Sequence, residues 1–147
     1  MAIDGSPSTE APGRASGGIV RRLRRLGWLR GIVLSPVVAR PGFWFATACA
    51  WVWGGVLGRF RLRRSGGLVV ASGLPSWAYG RGGTTVGAVY LTTDNTSARV
   101  LEHEAVHCAQ WKKYGLAFIP LYLDAGRDAT LNRFEVQAGL AKGGYGR

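Results

Sequence analysis

The chain contains two histidines, and both stand in one five-residue segment, His103-Glu104-Ala105-Val106-His107. On a helix, residues four apart share one face about a turn apart, so both imidazoles can reach a single ion. The flanking residues predict that helix. Thr93-Asp94-Asn95-Thr96-Ser97 supplies turn residues and an N-cap, and Gly115 a stop, giving a helix from near Ser97 to about Tyr114. Glu104 follows the first ligand and sits beside the same face, where it can take a proton from metal-bound water and pass it to a leaving amine. This is the H-E-x-x-H pattern of zinc sites, and it predicts a bound zinc ion. The same donors also suit other divalent metals. A pair of exposed helical histidines is the bland alternative, but a chain that places its two histidines around one glutamate is not using them as filler.

A catalytic zinc site needs a third protein ligand. No histidine remains, which excludes the H-E-x-x-H-x-x-G-x-x-H arrangement. The acids downstream are Asp124, Asp128 and Glu135. Glu135, on a second helix packed against the first, would make a His₂Glu set. Asn132-x-x-Glu135 also fits a capping box, so position alone leaves Glu135 either a ligand or a cap. Gln110 and Tyr114 fall on the face of His107, where they either orient a ligand or merely cover the helix. Tyr122 and Tyr145 are candidates for stabilising an oxyanion, with ordinary packing as the alternative for each. The Gly-Arg-Gly-Gly run at 80–83 lacks the spacing of a phosphate loop and reads as a turn.

Four stretches carry a resemblance: GGTTVGAVYLT, LEHEAVHCAQW, YGLAFIPLY and NRFEVQAG. From Gly82 to Gly144, less than half the chain, the sequence resembles the gluzincin side of the zincin metallopeptidases. It is more closely similar to a group of small actinobacterial H-E-x-x-H proteins of unassigned activity. The resemblance implies a strand leading into a metal-binding helix, then a second helix bearing the glutamate ligand. On it, His103, His107 and Glu135 bind zinc, Glu104 is the general base, and an extended peptide lies along an edge strand at Thr84–Thr92. Well-studied gluzincins are larger, with extra subdomains that build the cleft.

The rest of the chain is read from pattern and charge. Its 147 residues fit one compact domain. The net charge of +11 is uneven. Residues 1–64 hold eleven arginines against two acids, whereas 65–147 hold eight basic and six acidic residues. The basic half is suited to phosphate, either anionic lipid or nucleic acid, or it is simply a solvated face. Residues 1–18 are small and polar, with no apolar core of a signal peptide, and read as a disordered tail of a cytoplasmic protein. Residues 19–64 form a basic and apolar helical region. Within it Val20, Leu23, Leu26 and Leu29 recur every three residues over 19–40, predicting a basic amphipathic helix interrupted by Pro36. Residues 41–58 carry no charge. They are open to three readings: a buried core helix under the metal-binding one, an interfacial anchor, or a short membrane span.

Residues 65–147 form the metal-binding region. Leu68–Ala71 is a short strand, Thr84–Thr92 a longer one, and Ala117–Ala125 and Asp128–Lys142 are helices. Cys49 and Cys108 are expected to be buried thiols in a reducing compartment, too few for an iron–sulfur cluster.

The fold expected is α+β, a short sheet or hairpin packed on several helices with the metal between two of them. Two function classes follow. One is a zinc-dependent hydrolase, a metallopeptidase acting on peptide or protein. The other is a non-catalytic zinc-containing basic module on an anionic membrane surface or nucleic acid, peripheral to the membrane in the former case.

Overall fold

Residues 31–33 are helical, a turn at Leu34 and Ser35 ends that helix, and Pro36 starts the next one, so the helical run is interrupted at Pro36 as expected. Proline suits the first helical turn because its fixed φ is already helical and its missing N–H would have no partner there. Helix α1 runs Pro36–Leu57 and continues through Pro41, whose ring lies on the exposed side. The computed structural model describes residues 31–145. The tail expected at 1–18 and the first part of the amphipathic helix expected over 19–40 lie outside the described residues. No helix among the described residues is long and apolar enough to cross a membrane.

Helix α1 buries small residues. Ala39, Gly42, Ala46, Ala50 and Gly54 face inward together with Phe43, which lets the backbone lie close to its neighbours. A β-carbon on Gly54 would stand 2.7 Å from both Ala71 Cβ and Leu91 Cδ2, so the sheet packs directly on the helix backbone. Gly54→Val should therefore destabilise the protein by about 1–3 kcal/mol, as overpacked cores do. The expected readout is a lower urea midpoint at unchanged m-value; an unchanged midpoint would mean the helix can move away at no cost.

The sheet has four strands in the order β1-β2-β4-β3. Strand β1, Leu62–Ser65, was hidden in the sequence by Arg63 and Arg64. It pairs antiparallel with β2, Leu68–Ala71, across Gly66 and Gly67, both at positive φ as a tight hairpin turn requires. The single strand expected at Thr84–Thr92 is instead two: β3, Thr84–Val86, and β4, Val89–Leu91, pair antiparallel, and β4 runs parallel to β2. The reversal occurs at Gly87, where φ is +60°. There the turn rests on α1, with the Ala88 N–H donating to Thr47 Oγ1 at 3.0 Å.

Helix α2, Ala98–Tyr114, has the bounds its caps predict. Ser97 Oγ accepts from the Val100 N–H, and Gly115 closes the C-terminus. A 3-10 turn, Gly115–Ala117, leads into α3, Phe118–Asp124. The last helix is shorter than the expected Asp128–Lys142: α4 covers only Arg133–Ala138. Asn132 starts it by accepting from the Phe134 N–H, and Gly139, at φ +91°, ends it. Mixed helices and one sheet thus form the expected α+β fold. One core joins Phe43, Leu68, Cys108, Trp111, Phe118 and Phe134; a second, under the sheet, joins Ala50, Ala71, Leu74, Val89 and Leu91. Cys108 is buried, but Cys49 is exposed, because it lies on the outer side of α1, away from that helix's small-residue face.

Candidate metal centre

Helix α2 carries His103 and His107 one turn apart, and α4 packs across them. Both imidazoles and the Glu135 carboxylate are buried, at 2%, 7% and 3% exposure. His103 Nε2 lies 3.1 Å from His107 Nε2 and 3.1 Å from Glu135 Oε2. His107 Nε2 lies 3.5 Å from Glu135 Oε1. This buried trio can hold a metal ion.

The hydrogen bonds around the trio set which ring nitrogens face inward. His103 Nδ1 is 3.1 Å from the Gly139 carbonyl, which can only accept, so Nδ1 carries the proton and Nε2 presents a lone pair. His107 Nδ1 is 2.8 Å from Gln110 Oε1. Gln110 Nε2 donates to the Phe134 carbonyl at 3.1 Å and to Gln137 Oε1 at 3.0 Å, leaving Oε1 as the acceptor. His107 is therefore fixed in the same tautomer. Three acceptor atoms converge, and Glu135 Oε2 is buried without a hydrogen-bond partner among the described residues. A buried orphan acceptor is costly, and so are three lone pairs about 3 Å apart, unless positive charge lies between them. Ligands at zinc–donor distances of 2.0–2.1 Å on a tetrahedral ion stand about 3.3 Å from one another. The two imidazole nitrogens stand 3.1 Å apart, and the two Glu135 oxygens lie one 3.1 Å from His103 and the other 3.5 Å from His107, near enough to that spacing for the group to hold a metal ion.

Without metal, protons supply the charge. Burial works against ionising Glu135, but hydrogen bonds from His103 and His107, once Nε2 is protonated, and from the Tyr122 hydroxyl hold its carboxyl well below the usual carboxylate range. Burial pushes the His103 imidazole down, yet its bond to Glu135 and the charge of Glu104 outweigh this and raise it. The lowered Glu135 adds stability above the ordinary carboxylate range that is lost as pH falls through its folded value. The raised His103 adds stability that is complete below the ordinary imidazole range and is lost as pH rises through its folded value.

Glu104 lies outside the trio but within its electrostatic reach. Thr85 Oγ1, on β3, donates to Glu104 Oε2 at 2.7 Å. Burial raises the Glu104 pKa, and Thr85 and the two imidazoles offset this only in part. The Thr85 carbonyl in turn accepts from Trp111 Nε1 at 2.9 Å. Of the expected edge strand Thr84–Thr92, β3 lies at an edge of the sheet and β4 lies inside it, between β2 and β3, and the bond to Trp111 uses one of the acceptors of β3.

The other candidates separate cleanly. Asp128 accepts from the N–H and hydroxyl of Thr130 and, like Asp124, is exposed; neither joins the trio. Glu135 does not act as a cap: Asn132 caps α4, and the Tyr122 hydroxyl donates to Glu135 Oε1. Tyr122 is thus committed to the carboxylate, and burial first, then Glu135, raises its phenol further. Gln110 holds His107, whereas Tyr114 stacks on Phe118 as plain packing. The Tyr145 ring lies 6.2 Å from that of His103.

Three contributors had no signal in the sequence: Thr85, the Gly139 carbonyl and Gly143. A β-carbon on Gly143 would meet the His103 ring at 2.6 Å. Gly143→Ala should displace that ring and weaken zinc binding by about 10–100-fold, as loss of ligand support does, in a competitive chelator titration. Unchanged affinity would show that the C-terminal turn moves away freely.

No protein-family model matches the chain, and no curated protein or solved structure matches it.

Proposed function

We propose that the protein is a zinc-dependent hydrolase, a metallopeptidase of gluzincin type, with His103, His107 and Glu135 as ligands and Glu104 as general base. The observation that supports this most directly is the convergence of two imidazole lone pairs and a buried carboxylate at the spacing a tetrahedral ion requires. When bound, zinc acts as a Lewis acid and brings the pKa of a coordinated water near neutrality. Three protein donors are the number found in catalytic sites, whereas structural zinc sites close with four. Gln110 and Gly139 keep the imidazoles in the tautomer that presents Nε2, and Tyr122 orients Glu135. Glu104, held by Thr85 and raised by burial, is a carboxylate poised to accept a proton and pass it on.

The test is a fluorogenic peptide library offered to zinc-loaded protein. Cleavage that a chelator abolishes and zinc restores is the expected result. No cleavage of any member by protein at full zinc occupancy would overturn the peptidase reading and leave zinc in a non-catalytic role.

A further inference from the structure

Helix α1 is apolar nearly all round, yet, Phe43 apart, it turns its small residues inward and its large ones outward. Gly42, Ala46, Ala50 and Gly54 are buried, while Trp44, Phe45, Val52 and Val56 are 58–64% exposed. A globular core sorts residues the other way. At about 100° per residue these outward positions fall on one continuous face. Phe60, whose ring lies over Gly55, and Trp77, edge-on to Trp53, continue the exposed apolar surface beyond the helix, at 68% and 70% exposure. The turn that presents Phe60 holds Arg59 and Phe60 both at positive φ, 54° and 58°, a conformation that costs energy in residues with a β-carbon.

Charge frames the same face. From Ala11 to Thr93 the sequence has twelve arginines and no acid. Arg40 lies near one end of the helix and Arg59, Arg61, Arg63 and Arg64 follow the other, all exposed.

We propose that this face of α1 docks the protein on an anionic lipid bilayer, lying in the interface and not crossing it. Tryptophan suits a boundary with one side apolar and the other wet, and arginine is drawn to an anionic leaflet by about fivefold in affinity per residue. A second copy would bring two arginine rims together, which like charge disfavours. Nucleic acid would neutralise the arginines but leave Val52 and Val56 against water. The proposal does not depend on the metal chemistry, since α2 and α4 carry the trio.

The experiment is co-sedimentation of the full chain with phosphatidylcholine vesicles, with vesicles also containing phosphatidylserine, and, separately, a binding titration with a single-stranded oligonucleotide. Binding to the serine-containing vesicles alone, weakened by salt, is expected. Two variants should each lower that binding at least about tenfold: Phe45→Ser/Val52→Ser, and Arg59→Gln/Arg61→Gln/Arg63→Gln/Arg64→Gln. Both must retain the wild-type thermal midpoint, which excludes misfolding as the cause. Wild-type binding by the Phe45→Ser/Val52→Ser protein would overturn the proposal by placing the contact elsewhere, in the arginines of 14–30. Failure of the wild type to bind vesicles would overturn it too, with self-association pointing to a second copy and oligonucleotide binding to nucleic acid.

Discussion

Glu104→Gln is expected to keep its zinc and lose about 10²–10⁴-fold in hydrolytic rate, the range that general acid–base catalysis supplies. The substitution preserves shape, and its amide oxygen can still accept from the Thr85 hydroxyl now 2.7 Å away. What it removes is the ability to take a proton. The base must be ionised to act, so the wild-type rate should rise with pH through the burial-raised pKa of Glu104. Thr85 favours the ionised form. Thr85→Val should therefore raise that pKa further and move the acidic limb of kcat/KM to higher pH. Metal lost together with activity in Glu104→Gln would mean that Glu104 supports the ligands and is not the base. Activity kept would remove it from the reaction.

Glu135→Ala should lower zinc affinity by about 10²–10³-fold. Four-ligand zinc sites in small domains bind with roughly 10–16 kcal/mol, so each ligand is worth about 2.5–4 kcal/mol. The loss should exceed that of Gly143→Ala, which only disturbs a ligand's support. Asp128→Ala, which removes an exposed carboxylate engaged with Thr130, should bind zinc as wild type does. The comparison is a competitive chelator titration at fixed pH, because protons compete for the same imidazoles. Loss in Asp128→Ala with retention in Glu135→Ala would refute the assignment of the third ligand.

What could be read from the residues was whatever local chemistry decides. The bounds of α2 follow from Ser97 and Gly115, each acting within a few positions, and the metal pair follows from helical spacing. Leu68–Ala71 was legible as an apolar run after Ser65-Gly66-Gly67. What escaped reading depends on distant contacts. Thr84–Thr92 has the composition of one strand, and it folds back because Gly87 and Ala88 seat on Thr47 of α1. Helix α4 stops early because Gly139 adopts a left-handed turn, which also places its carbonyl on His103. Glu135 was balanced between ligand and cap until Asn132 proved to cap α4 by itself. Cys49 looked buried because its neighbours are apolar, but α1 buries glycine and alanine and leaves that side exposed.

The most direct test of the central claim is elemental analysis of the purified full chain after dialysis against metal-free buffer, run beside Glu135→Ala and His107→Ala. The proposed function predicts about one zinc per wild-type chain and little in either variant. Well-folded wild type that holds no metal, even after zinc is supplied, would contradict it and leave protons as the charge that closes the His103–His107–Glu135 trio.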